Sequence, residues 1–294
     1  MSTITLKDNA TVRDQIKHKM SGGPTRTKII ITDHNTGEVL GEVHNKILVP
    51  GSQLTACKQF GLDTLIWFPT YNEELDLDHT LEPEPPEEHV TPENPPITCL
   101  WCVGRDGAAT SPNEVYIVNN TDRIRPVPRN PEDKSTIIPF RYVDNDPASD
   151  LSSDERQIYF GKRTDSVLGK IAYYFKKFDT DPQLHINYID GTEVTEDMWD
   201  TVTNQPVEIY VEMRLSVSRT DLREWFDSAE GPGWDNADIS TISLVSAWYT
   251  EWEETPGNTF KFYQDILPFS KFNFKPEKLT DLSRAIDFNY QVFY

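Results

Sequence analysis

Cys99-Leu100-Trp101-Cys102 carries the C-x-x-C spacing that zinc knuckles and dithiol redox sites use. A structural zinc site takes about four ligands. No second pair stands elsewhere, so Cys57 and one of His44, His79 or His89 would have to complete the set from a distance. A redox pair is best placed at a helix N-terminus, where the thiolate is stabilised. Here the pair lies in the apolar run Ile97 to Gly104, bounded by Pro95-Pro96 and Asp106-Gly107, which reads as a buried strand. Residues three apart on a strand point to opposite faces. The pair is therefore assigned to buried structural thiols, with no metal and no cofactor.

Asp76-Leu77-Asp78-His79 and the glutamates after it offer clustered hard oxygens of the kind that hold Ca²⁺. The run lacks the glycine and the bidentate glutamate of an EF-hand loop, so it reads as a solvated acidic segment. Between these readings lies a docking surface for a basic partner, and Arg123, Arg125 and Arg129 form the candidate basic patch on a neighbouring copy. With 48 carboxylates an acid/base pair for glycan hydrolysis is available by chance proximity alone. No G-x-S-x-G, H-E-x-x-H, P-loop or dinucleotide fingerprint is present, and the chain is read as no enzyme, with a cell-wall glycan hydrolase as the third-ranked reading. Trp225, Trp234, Trp248 and Trp252, with Tyr249, fall within residues 225–252 and suit either the rim of a core, a subunit contact or a sugar-stacking platform.

Composition bounds the partners. The chain has 294 residues, 28 basic and 48 acidic, for a net charge of −20. Nucleic-acid binding draws most of its affinity from cations neutralising phosphates, so direct binding to DNA or RNA is not expected. Hydrophobic residues make up 37%, enough for a packed β-rich core and too many for a disordered chain. No run approaches the roughly eighteen apolar residues of a membrane span, and the basic N-terminus lacks the apolar stretch of a signal peptide. Three cysteines suit a reducing compartment.

The elements that must position these residues are mostly strands. Residues 1–27 read as an N-terminal helix or arm, with Val12, Ile16 and Met20 four apart on one face and Ser21-Gly22-Gly23-Pro24 as a hinge. The rest, 28–294, reads as a mainly β body with a candidate division near 145–170 and an acidic, proline-rich loop at 72–96. Ile29 to Ile31, the turn cluster Asp33 to Gly37 and the return run Glu38 to Val49 predict a hairpin, with Gly41 marking a bulge. Pro50-Gly51 stops the strand, and Ser52 caps a short helix that Gly61 ends. Further strands are expected at 114–118, 136–143, 156–160, 170–178 and 185–189, the last followed by an Asp190-Gly191 hairpin turn. From Val207 to Val217 apolar and polar residues alternate without a break, the most secure element of all. Thr220 to Asp227 predicts a helical turn capped by Thr220 or Asp221, and strands follow at 240–250, 260–264, 269–274 and 286–293, with a loop or short helix over 279–284. The fold class is mainly β, an antiparallel β-sandwich-like body with a few short peripheral helices and long loops.

Two stretches carry a resemblance. One is the hairpin whose return strand runs Val43-His44-Asn45-Lys46-Ile47-Leu48-Val49-Pro50-Gly51 into a short helix. The other is Leu267-Pro268-Phe269-Ser270-Lys271-Phe272-Asn273-Phe274 leading to the terminal Ile286 to Tyr294. Both resemble stretches of tailed-bacteriophage virion proteins; the resemblance covers about a quarter of the chain and implies a class of protein: a virion structural subunit of neck, tail, baseplate or capsid surface, assembled in the host bacterial cytoplasm. Its implied partners are other virion proteins and further copies of itself in a symmetric array, with neither membrane nor nucleic acid among them. Interface candidates are Val12, Ile16, Met20, Arg123, Arg125, Arg129, Trp234, Trp248 and Trp252. A receptor- or glycan-binding virion module using residues 225–252 is the alternative.

Overall fold

The structure is a computed structural model that describes residues 26–45, 47–60, 96–105, 107–110, 115–117, 136–195, 198, 207–218, 220–229, 231–255, 258–278 and 285–294. The stripe Val12, Ile16 and Met20, the patch Arg123, Arg125 and Arg129, the loop 72–95 and the stretch 279–284 lie outside the described residues.

Two antiparallel sheets form the body, as the alternating sequence demands. The five-stranded sheet runs in the order β10 (Gln183–Tyr188), β11 (Val207–Val217), β14 (Ile286–Phe293), β1 (Arg26–Asp33) and β2 (Val39–Asn45). The seven-stranded sheet runs β13 (Asn258–Lys278), β12 (Asp238–Thr255), β3 (Ile97–Arg105), β9 (Lys170–Lys177) and β7 (Arg141–Asp144), with β6 (Thr136–Ile138) on β3 and β8 (Tyr159–Asp165) on β9. A separate pair joins β4 (Ala108–Thr110) to β5 (Val115–Ile117). The stretch 145–170 joins β7 to β8 and β9 within a single sheet.

The β1–β2 hairpin closes because Asp33 Oδ1 accepts the N–H groups of Asn35 at 3.0 Å and Thr36 at 3.1 Å, and Gly37 supplies φ +69°. The register slips between Ile31 and Thr32, leaving Leu40 as the extra residue beside Gly41. The helix spans Val49–Phe60, earlier than a Ser52 cap would start it. Proline is tolerated in a first helical turn because its missing N–H would have no intrahelical partner there. Gly51 is required by packing: a Cβ there would lie 2.4 Å from the Phe269 carbonyl oxygen.

Several boundaries depart from the sequence reading. The expected strand 156–160 begins as a 3₁₀ turn, Glu155–Gln157, because Ser152 and Glu155 cap each other, the Ser152 hydroxyl donating to Glu155 Oε2 at 2.8 Å. The expected strand 136–143 breaks at Pro139, where β6 leaves β3 and β7 takes up β9. The two expected strands 260–264 and 269–274 are one, β13, which absorbs Asp265 at φ +49° and Pro268 because it lies on the sheet edge. The short helix Arg223–Phe226 has Leu222 at its N-cap, in the left-handed region and without a side-chain cap; Asp221 is occupied elsewhere.

One core fills the space between the sheets and a second lies on the other face of the seven-stranded sheet. The first takes Ile29, Ile31, Met213, Leu215, Phe288 and Tyr290 from one sheet and Trp101, Val103, Leu244 and Phe272 from the other. The second holds Leu100, Cys102, Tyr174, Val245 and Tyr263. Across the first core runs a buried polar lock. Lys176, 6% exposed, donates to Asp221 Oδ2 at 3.0 Å and to the Ser216 carbonyl at 2.7 Å. Asp221, fully buried, also accepts from Tyr159 Oη at 2.6 Å and from the Ser218 N–H at 2.7 Å and hydroxyl at 2.9 Å. Lys176 comes from β9 and Ser216 from β11, so the lock ties one sheet to the other. Removing one partner of a buried pair strands the other charge. Asp221→Ala is expected to lower stability by about 3–5 kcal/mol in urea unfolding; a loss under about 1 kcal/mol, the range of a surface pair, would show that the lock carries little.

Candidate interaction surface

The cysteines face one way, against expectation. Opposite β12, Leu100 pairs with Val245 and Thr98 with Ser246, so Cys99 is an extra residue on β3. That bulge turns Cys99 toward the cluster that holds Cys102. Burial pushes the Cys99 thiol up to about 12 and raises Cys102 further, the opposite of an activated redox pair. Among the described residues no group of three or more His, Cys, Asp or Glu is placed to hold a metal ion, and no helix is long and apolar enough to cross a membrane.

On the outer face of the five-stranded sheet, Ser216, His34 and Asp287 meet with Arg214. The residue types are those of a hydrolytic triad, but the hydrogen bonds are not. Ser216 Oγ donates to Asp287 Oδ1 at 2.6 Å, and His34 Nδ1 lies 3.1 Å from Asp287 Oδ2. Arg214 Nη2 donates to Asp287 Oδ2 at 2.6 Å. Among the described residues the serine proton thus goes to the carboxylate rather than to an imidazole base. Three donors converge on one acid, and the result is a clasp between the β1–β2 turn, β11 and β14.

The tryptophans are dispersed. Trp225 and Trp234 pack on Phe226 with ring centroids 5.0 and 6.0 Å away, so both complete the core's rim. Trp248, half-buried, and Trp252 lie along β12, in register with Gln264 and Phe260.

The feature that sequence reading missed is an uncovered apolar face. In the five-stranded sheet, Val292, Val211 and Leu184 are register partners in successive strands, and so are Ile209 and Ile186, with Tyr294 donating its N–H to Ile209. Directly paired residues share a face, and the row Tyr290–Met213 next to them points into the core. These residues therefore continue the core-facing side of the sheet. Yet Leu184 is 64% exposed, Ile209 37% and Tyr294 53%. Strand alternation shows which face is apolar but not how far the opposite sheet reaches to cover it.

The uncovered strip runs into a cavity of about 480 Å³ at the same end of the sandwich, between Val211 and Val292 on one side and Leu244 and Phe269 on the other. Leu54, Thr55 and Lys58 of the helix Val49–Phe60 form its third wall, and Thr98 and Ser246 share a hydroxyl hydrogen bond of 2.8 Å at its edge. On the reverse side of the sheet β10 is held by a ring ladder: His185 stacks on Tyr210 at 5.0 Å, and Tyr210 meets Phe293 at 5.1 Å. Burial, then the charges of Glu212, Glu193 and Glu208, raise the Tyr210 phenol. The edge strand is therefore firmly attached, flanked by carboxylates on its reverse face, and bare on the face that looks along the sandwich.

Comparison with protein-family models, with curated proteins and with solved structures finds no match to this chain.

Acid titration tests the clasp. Burial pushes Asp287 up, but the bonds from Ser216, His34 and Arg214 outweigh it and hold the carboxyl below its ordinary 3.8. Its contribution to stability is present above that value and lost as pH falls through the lower folded pKa. Asp287→Asn should therefore flatten the loss of stability on acidification below about pH 4 relative to the parent chain; parallel stability curves would contradict the clasp.

Proposed function

We propose that this chain is a non-catalytic structural subunit of a tailed-phage-type virion, one that joins its neighbours by covering the apolar strip at the β10–β11 end of its sandwich. The observation that carries this reading is the strip itself: aliphatic side chains on the core-facing side of a rigid sheet, left in water beside an open cavity. Contiguous apolar surface of this kind marks interaction sites in folded proteins. A second uncovered feature is the β8–β9 hairpin tip, where Val167 is 93% and Leu168 46% exposed. Asp165 Oδ1 accepts both their N–H groups at 3.0 Å, so the tip is ordered while its side chains have no cover.

The two stretches that resemble phage virion proteins also meet. Ile47 bridges Ser270, the Leu48 N–H donates to the Phe269 carbonyl at 2.9 Å, and the terminal strand β14 pairs with β1. They form one unit, as stretches shared by a class of proteins would be expected to do. Such a subunit works by burying interface area, and an array of copies multiplies contacts that are modest singly. Mixing this chain with the structural proteins encoded beside it should give a defined complex by light scattering, and Leu184→Asp should weaken its formation at least tenfold. A chain that stays at 33.8 kDa with every neighbour, or a complex indifferent to Leu184→Asp, would overturn the reading.

A further inference from the structure

We infer that Lys176 and Asp221 become joined by an intramolecular amide bond, formed with loss of one water and with Asp179 as the acid that relays the protons. The bond turns the polar lock between the sheets into a covalent one, and it is independent of the assembly reading above.

Strand register places the amine. Lys176 on β9 is the register partner of Tyr159 on β8 and of Trp101 on β3, so all three side chains share the face that looks into the core between the sheets. Its Nζ lies 5.8 Å from the centre of the Trp101 ring and 3.0 Å from Asp221 Oδ2. The Asp221 carboxyl is pinned from both sides along the chain. Ser218 donates its N–H and hydroxyl to Oδ2, and Leu222, at φ +66°, donates its N–H to the Phe140 carbonyl at 2.8 Å. Asp179 completes the group: the Ser216 N–H donates to its Oδ2 at 2.6 Å, and its Oδ1 lies 3.5 Å from Nζ. Burial raises the Asp179 carboxyl above its ordinary 3.8, outweighing the pull of Lys176, so a proton-holding acid stands beside the amine.

The reaction is a condensation that needs no further reagent. The Lys176 ammonium passes one proton along its hydrogen bond to Asp221 Oδ2, giving an amine and a neutral acid, an exchange that costs less away from water than in it. The nitrogen lone pair then adds to Asp221 Cγ, forming the C–N bond. The C=O pair moves onto Oδ1, where the Tyr159 hydroxyl donates at 2.6 Å. Asp179 gives a proton to Oδ2 and takes one from the nitrogen, the pair returns from Oδ1, and the Cγ–Oδ2 bond breaks as water leaves. An ammonium and a carboxylate thus become a neutral amide and one water, with Asp179 unchanged. The polar atoms of the product are already matched. Its N–H keeps the Ser216 carbonyl, which Nζ meets at 2.7 Å, and its oxygen keeps the Tyr159 hydroxyl. Well-oriented groups react as though present at up to about 10⁸ M, which drives a condensation that free amine and acid do not undergo in water.

Mass spectrometry of the denatured chain tests the bond without any variant. The purified 33.8 kDa chain should weigh one water less than its sequence, and trypsin should leave Lys176 uncut and release Ile171–Lys177 joined to Thr220–Arg223. Lys176→Ala should restore the full sequence mass; Lys176→Arg, which keeps a cation opposite Asp221 but carries no primary amine, serves if Lys176→Ala does not fold. Asp179→Asn, with far-UV circular dichroism matching the parent, should slow the loss of water at least tenfold in chain sampled over time after synthesis. A parent at its full sequence mass, or a loss of water that persists in the Lys176 variants, overturns the bond and leaves the lock an ion pair. Loss at the parent's rate in Asp179→Asn overturns the relay.

Discussion

The pairing of β1 with β14 is the constraint on which the rest of the structure depends. It joins residues near the two ends of the chain over an unbroken register from Arg26↔Phe293 to Asp33↔Ile286. Because side chains alternate, that register also decides which residues enter the core. Ile29 and Ile31 point the same way as Tyr290 and Phe288, and β11 extends the rows with Met213 and Leu215. A slip of β14 by one residue would turn Phe288 and Tyr290 to solvent and bury Asp287 in their place. The clasp of Asp287, Arg214, Ser216 and His34 on the outer face opposes such a slip, since its donors come from β11 and the β1–β2 turn.

The seven-stranded sheet is fastened to this frame by a different kind of contact. Lys176 and Asp221 would be costly to bury singly; they are accommodated because each finds further partners, the Ser216 carbonyl for one and Tyr159 and Ser218 for the other. The chain of contacts goes on through the rings. The Arg141 guanidinium lies 5.6 Å from the centre of Tyr159 while making paired 2.9 Å bonds to Glu224, and Lys176 lies 5.8 Å from Trp101. Polar groups thus fix how the sheets are mated, and the apolar core between them supplies most of the driving force.

The sequence was legible where the pattern is local. The alternation from Val207 to Val217, the Asp33 to Gly37 turn and the terminal strand are all present with bounds close to those expected. Legibility failed where distant residues decide. Asp221 has the form of a helix cap, yet it is taken by Lys176, 45 residues away, and by Tyr159. Cys99 and Cys102 should face apart, but a bulge forced by pairing with β12 turns them together. Pro268 looks like a strand break and is none, because only the sheet order places it on an edge. Trp234, one of the expected contact residues, packs half-buried at the core's rim, while the exposed strip lies in residues that alternation marks as core: Ile209 is one of the six apolar positions of β11.

That strip is where the fold meets the proposed function, since a sheet that keeps Leu184 and Ile209 in water could be covered without rearranging. Hydrogen exchange along β10 and β11 tests the account most directly. Compared between the dilute free chain and the assembled state, amides over Gln183–Tyr188 and Val207–Val211 should slow on assembly while those of β1 and β14, already central in the sheet, stay unchanged. Equal exchange of β10 and β11 in both states would mean that the strip stays bare in the assembly, and the surface assigned here would not be the one the protein uses.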